Sequence, residues 1–282
     1  MTDMAQLKTR EAPNWCPGCG NYGIQAALKN AIVELGLDTS SLTIATGIGC
    51  GSKINHWVKC YGFEGLHGRP LPVATGIKLA NPSLTVLAIG GDGDGYGLGM
   101  GHFIHSMRRN LDITYIVQDN QIYGLTTGQT SPTSEKGTRT KSTPAGAIEL
   151  PVNPIALALA SGATYIARGY AGDLPHLTEL ISGAIAHHGF AIVDVLQPCV
   201  TFNKVNTYDF FASRVYKLEE EMGLAAAFEK SHEWGDKIPI GLFYREERPT
   251  YEDEEVGFKG GSKPVDVPGE VVDVAGLMSG FM

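Results

Sequence analysis

Long apolar runs are missing from this chain: nowhere in its 282 residues does one approach the roughly 18 residues that a membrane span requires. The opening segment, Met1-Thr-Asp-Met-Ala-Gln-Leu-Lys-Thr-Arg10, has no signal-peptide core, so a cytoplasmic protein with no membrane part is expected. Charge is sparse too. Only 18% of residues carry it, and 30 acids against 22 bases leave a net charge of −8. That surplus would repel nucleic-acid phosphate, which argues against nucleic acid as a partner, and an acidic protein partner would need a local basic patch. There is no internal repeat and cysteine is limited to five. Glycine is plentiful, at 36 residues, which fits loops that approach ligands closely, and 43% hydrophobic residues suffice for a sizeable core.

The strongest local signal is Gly91-Asp92-Gly93 followed by Asn120-Gln121-Ile122. The run from Leu84 to Ile89 is short, apolar and β-branched, which predicts a buried parallel strand with Asp92 at its carboxyl edge. A helix is expected from Leu98 to Arg109 and a second strand from Ile113 to Val117, which brings Asn120 to the same edge. Neighbouring strands lie about 4.8 Å apart, so both side chains can reach one ion. Magnesium seeks hard oxygen ligands and shares them with phosphate. Asp92, Asn120 and the Ile122 carbonyl would leave room for two oxygens of a diphosphate. The glycine run Gly93, Gly95, Gly97, Gly99 and Gly101 also admits a dinucleotide-binding loop, which predicts affinity for a nicotinamide cofactor. Three details favour the metal and diphosphate: an Asp inside the turn, an Asn one unit later, and the turn Tyr123-Gly124.

Cysteines form the second signal. Cys16-Pro-Gly-Cys19 lies in a Pro/Gly loop, whereas Cys50 and Cys199 each follow a predicted strand. Thiols that converge in a cytosolic chain point to metal or redox chemistry rather than to disulfides. Spacing alone is compatible with zinc and with an iron–sulfur cluster. Cys60 reads as a small buried hydrophobe.

Strand and helix patterns alternate along the chain, predicting an α/β fold with a parallel sheet and helices on both faces. Expected helices cover 21–35, 155–160 and 174–187, and expected strands 42–45, 163–167 and 191–196. A polar loop from Asn120 to Lys141 is long enough to bind a ligand. Beyond Tyr216 the pattern weakens, so 1–215 is expected as the binding domain and 216–282 as a C-terminal extension or arm.

The segment Gly-Asp-Gly-Asp-Gly, through Arg-Arg-Asn-Leu-Asp, to Asp-Asn-Gln-Ile-Tyr-Gly-Leu-Thr resembles the thiamine diphosphate motif of the 2-oxoacid:ferredoxin oxidoreductase β subunits. The likeness runs over about residues 10–215, and the β subunits acting on 2-oxoglutarate are the most similar. The resemblance implies thiamine diphosphate, Mg2+ held by Asp92, Asn120 and Ile122, and a 4Fe-4S cluster on Cys16, Cys19, Cys50 and Cys199, with Trp15 before the first of them. It places Gly91, Gly93, Gly124 and Thr126 on the diphosphate, and Cys50, Gly51, Ser52 and His67 near the cofactor. Leu125 would prop the cofactor into its bent form, and Lys53 would meet the substrate carboxylate. No residue here takes the role of the glutamate that contacts the pyrimidine ring. An α subunit is therefore implied, in an α2β2 assembly, with ferredoxin as redox partner and coenzyme A as co-substrate. The reaction so implied is oxidative decarboxylation of 2-oxoglutarate to succinyl-CoA and CO2, reversible toward CO2 fixation. Pyruvate is the alternative substrate, and a thiamine enzyme without redox chemistry, with a structural zinc, is the alternative class.

Overall fold

A computed structural model describes residues 2–259, 261, 263–266 and 274–280. The β-branched runs form strands β1 (Leu42–Thr46), β2 (Tyr61–Glu64), β3 (Thr85–Gly91), β4 (Thr114–Asp119), β5 (Tyr165–Tyr170) and β6 (Ala191–Leu196), and the chain adds β7 (Val215–Lys217) and β8 (Ile238–Arg245). They lie in the order β2-β1-β3-β4-β6-β5-β8-β7. The first six are mutually parallel, β8 is antiparallel to β5, and β7 is parallel to β8.

Helices α1 (Asn21–Glu34), α2 (Pro70–Ala80), α3 (Met100–Arg109), α4 (Pro154–Ser161), α5 (Leu174–Ala186), α6 (Tyr208–Ala212) and α7 (Leu224–Ser231) connect the strands. Strand residues point alternately to the two faces, and both are covered. Leu87 and Ile89 of β3 join a core with Leu28 of α1 and Leu177 of α5. Val86 and Ala88 join the opposite core, with Leu71 of α2, Phe103 of α3, Ile155 of α4 and Ala227 of α7. Each large aliphatic or aromatic side chain fully buried in this way stabilises the fold by about 1.5–3 kcal/mol.

Because β1 pairs with β2 on one side and β3 on the other, the chain reverses direction across the sheet there. A parallel sheet opens a ligand crevice at the carboxyl ends of the strands on either side of such a reversal. Gly91 of β3 pairs with Gln118 of β4, so Asp92 and Asn120 emerge from adjacent strands almost level with each other.

Two expectations are corrected. The helix expected from Leu98 is preceded by a wide π-helical turn, Gly93–Leu98, and α3 starts at Met100. Glycine permits that turn: a β-carbon at Gly95 would meet the Tyr115 hydroxyl. The stretch from Tyr216 to Arg245 contributes to the sheet, since β8 flanks β5 and buries Ile238, Ile240 and Phe243. Pro239 and Gly241 interrupt that strand's alternation, which hides it in the sequence. After Arg245 the described chain holds only short helical turns such as Tyr251–Glu254 and Val274–Ser279, and 260, 262, 267–273 and 281–282 lie outside the described residues.

Candidate functional site

Loops leaving β1, β3 and β4 enclose one cleft. Cys50, Gly51, His67, Gly91, Asp92, Gly93, Asn120, Ile122, Gly124, Leu125 and Thr126, all expected from the sequence, line it. Its floor is Asp92, only 2% exposed. Burial pushes the Asp92 carboxyl up to about 6, with hydrogen bonds opposing the shift. Among the described residues no cationic side chain pairs with Asp92, a counter-charge that a bound cation would supply.

The Thr133 hydroxyl lies 2.7 Å from Asp92 Oδ2 and also 2.7 Å from Asp119 Oδ1. A hydroxyl has one proton to donate, so the second contact requires a carboxyl that retains its own. Asp119 fits that role, being held well above the usual carboxylate range by burial and by the charges of Asp194 and Asp92. Behind it, Asp194 accepts from the Tyr96 hydroxyl at 2.8 Å and faces the Arg168 Nε at 3.4 Å.

Asn120 forms a tight turn in which its Oδ1 accepts the Ile122 N–H at 3.1 Å, and Gln121 between them adopts a left-handed φ of 57°. Asn203 steadies this turn. Its side-chain amide donates to the Asn120 carbonyl at 3.0 Å, while its main-chain N–H donates to the Cys199 carbonyl at 3.1 Å. On the far wall, Asp94 Oδ1 accepts from the N–H groups of Gly68 at 2.7 Å and Ile48 at 3.0 Å, and His67 Nδ1 lies 2.9 Å away. Leu125 is 45% exposed at its turn, so it projects into the cleft rather than filling a core.

The cysteines gather beside the cleft. Cys19 precedes α1, Cys50 follows β1 and Cys199 follows β6. Burial pushes the Cys19 thiol up to about 11, and its neighbours Cys199, Cys50 and Cys16 add to the shift. Cys50 is raised by burial and then by Cys199. All are free thiols. Among the described residues, no three His, Cys, Asp or Glu side chains close around a point suited to a single metal ion. The loops are stitched together by the Trp15 indole, which donates to the Cys50 carbonyl at 2.6 Å, and by the Gly20 N–H, which donates to the Pro198 carbonyl at 3.2 Å. Gly124 joins the two regions, since a β-carbon there would lie 3.5 Å from the Cys199 sulfur and 3.8 Å from that of Cys50. Cys60 stands apart, half-buried, its thiol pushed up to about 12 by burial.

Besides Cys16, Cys19 and Cys199, two expected site residues fall outside the cleft lining. Ser52 is fully buried with an unpartnered hydroxyl, and Lys53 sits half-buried on the 3-10 turn Gly51–Trp57, near enough to Cys50 to favour its thiolate. The cleft also uses Tyr123, which sequence reasoning places only in a turn, and Ile48, Gly49, Asp94 and Gln118, to which it gives no role. The second acid in Gly-Asp-Gly-Asp-Gly is the available signal for Asp94; Gln118 sits within a strand and reads as core.

Comparison with known proteins agrees with this geometry. Residues 40–195 match the family described as thiamine pyrophosphate enzyme, C-terminal TPP binding domain, and residues 199–259 match the family described as the C terminal of the pyruvate ferredoxin oxidoreductase beta subunit. The second match spans residue 216, in keeping with the continuous sheet. The chain is 50% identical over 266 residues to the 2-oxoacid:ferredoxin oxidoreductase subunit beta of Saccharolobus solfataricus, covering 88% of this chain and 87% of that one. It is 45% identical over 280 residues to subunit beta of the 2-oxoacid:ferredoxin oxidoreductase 1 of Aeropyrum pernix, covering 94% and 88%. A solved 2-oxoglutarate:ferredoxin oxidoreductase from Magnetococcus marinus, with 2-oxoglutarate, coenzyme A and succinyl-CoA bound, superposes with a TM-score of 0.86 at 42% identity, covering 88% of this chain and 87% of that chain. Sharing half its residues with such subunits and their fold as well, this chain belongs to the 2-oxoacid:ferredoxin oxidoreductases, as a β subunit.

Proposed function

We propose that this subunit supplies the diphosphate, magnesium and electron-accepting half of an active site that converts 2-oxoglutarate and coenzyme A to succinyl-CoA and CO2, passing electrons through a 4Fe-4S cluster to ferredoxin. The observation that carries the proposal is Gly124: it lines the cleft with Asp92 and Asn120, and a β-carbon on it would touch two cysteine sulfurs. The cofactor seat and the thiol cluster thus share a wall one residue thick.

The residues fit the groups. Asp92, Asn120 and the Ile122 carbonyl are hard oxygen donors at one strand edge, and the buried Asp92 carboxylate lacks a counter-charge. Four thiols come from three loops, and those of Cys19 and Cys50, raised by burial and by the cysteines beside them, would be relieved by binding iron. When bound, thiamine diphosphate provides the nucleophilic carbon and the electron sink for decarboxylation of a 2-oxoacid.

The protein's own residues hold and orient. Thr133 and Asn203 fix Asp92 and Asn120. Gly91, Gly93 and Gly124 let the backbone approach the diphosphate, where N–H groups can point at phosphate oxygens. Leu125 would prop the cofactor in its bent form, and Lys53, beside Cys50 though outside the cleft lining, would meet the substrate carboxylate. The carboxylates in the cleft, Asp92 and Asp94, are both engaged at the diphosphate end. As the family resemblance implies, the acid that contacts the pyrimidine would come from the α subunit, in an α2β2 enzyme that can also run reductively to fix CO2.

The test is anaerobic co-production with the α subunit, followed by analysis of iron, acid-labile sulfide, zinc and magnesium. Ferredoxin reduction is then assayed with coenzyme A and either 2-oxoglutarate or pyruvate. A brown complex that prefers 2-oxoglutarate is expected. A colourless zinc protein refutes the cluster, and a preference for pyruvate refutes the substrate.

A further inference from the structure

Gln197 leaves β6 immediately before Pro198 and Cys199 and is 1% exposed. Its main-chain N–H donates to the Asp119 carbonyl at 2.8 Å, which pins it beside β4. Its side-chain amide donates to the Cys19 sulfur at 3.3 Å and to the Pro198 carbonyl at 2.9 Å. Among the described residues no other side chain donates to a cysteine sulfur. The fit is close on the other side as well: a β-carbon at Gly20 would come within 2.8 Å of the Gln197 Cγ and 3.1 Å of its Nε2. The residue after Cys19 is thus small enough to admit the amide. Cys19 is itself only 9% exposed, so water contributes little to stabilising charge on its sulfur.

We infer that Gln197 sets the reduction potential of the cluster carried by these cysteines, its N–H to the Cys19 sulfur favouring the reduced state. This rests on the cluster reading above. Reduction adds one electron to the cluster, drawn from the decarboxylated substrate or from dithionite, and that negative charge is shared with the ligating sulfurs. A donor aimed at one of them in a dry site stabilises the more negative state, which raises the potential. The amide keeps its proton throughout, so no proton transfer accompanies the step. Gln197 is accordingly a tuning residue, acting through Cys19 and touching neither substrate nor thiamine.

The experiment is a potentiometric titration with dithionite of the anaerobic αβ enzyme, followed by electron paramagnetic resonance. Gln197→Met keeps the length and removes the donor; Gln197→Glu replaces it with an acid. With iron and sulfide at wild-type levels, Gln197→Met should lower the reduced-to-oxidised ratio about tenfold at the wild-type midpoint, the size of one hydrogen bond to a charged group, equivalent to about 59 mV. Gln197→Glu should fall further. An unchanged midpoint in Gln197→Met with the cluster intact overturns the inference. If the variants fail to assemble, wild-type protein carrying 15N in its glutamine side-chain amides decides the matter. Coupling of a 15N nucleus to the reduced cluster supports the inference, and its absence overturns it. A wild-type enzyme without iron removes the cluster reading itself, a different failure from an unmoved potential.

Discussion

Replacing Thr133 with Val keeps the shape of a buried side chain and deletes one hydroxyl, so it isolates what that hydroxyl does for Asp92. In the native protein it sits 2.7 Å from carboxyl oxygens of both Asp92 and Asp119, all three residues being at most 3% exposed. Losing a hydrogen bond to a charged group costs about 1.5–3 kcal/mol, which predicts a roughly 10- to 150-fold loss of magnesium-dependent thiamine diphosphate affinity. The Asp119 carboxyl loses that contact as well, keeping only the Gln121 N–H at 3.3 Å on the same oxygen. That costs about 1–3 kcal/mol of folding stability, and each kcal/mol lowers the melting temperature by about 2–4 °C in a chain of this size. Thr133→Ser retains the hydroxyl and should stay near wild type in both respects. Calorimetric titration of thiamine diphosphate into the αβ enzyme, at fixed magnesium, measures the first effect, and thermal unfolding the second. Wild-type affinity in Thr133→Val would refute the claim that this hydroxyl orients Asp92.

Three further outcomes are expected. Cys50→Ser should abolish ferredoxin or viologen reduction while thiamine diphosphate and magnesium still bind by calorimetry; undiminished reduction counts against an electron path through Cys50. In Gly93→Ala the new β-carbon would enter the Tyr123 ring, an overpacking cost of about 1–3 kcal/mol, so cofactor affinity should drop at least several-fold with the circular dichroism spectrum retained. His187, whose Nε2 lies 2.8 Å from the Thr164 hydroxyl, has its pKa lowered chiefly by burial, so its folded state favours the neutral ring. Its contribution is fully present above about pH 6.5, the unfolded value, and is lost as pH falls toward the lower folded value. The melting temperature should therefore decline on acidification below about pH 6.5, and less steeply in His187→Gln.

Much of the lining of the candidate site is legible in the sequence because its residues are local. An apolar run, an Asp in a glycine turn and an Asn after the next strand are enough to infer a shared edge, and the pairing of Gly91 with Gln118 places them there. What stays hidden depends on contacts between distant segments. Thr133, Asp119 and Asp194 meet only because a loop and two strands converge, and nothing in their spacing announces it. Trp15 is visible as a neighbour of Cys16, but its bond to the Cys50 carbonyl spans 35 residues. The place of Ser52 beside Cys50 suggests the cofactor, yet the 3-10 turn there folds it inward. β8 is hidden for the opposite reason, since Pro239 and Gly241 disguise a strand whose position beside β5 is fixed by packing.

Asn203 grips the main chain of both the Cys199 loop and the Asn120 turn, so the two move as one mechanical piece. Damage to the first is transmitted to the second. If these thiols carry the proposed cluster and the turn the proposed magnesium, air that corrodes the first should also loosen the seat of the second, and a preparation that bleaches on the bench would shed its metal at the same time.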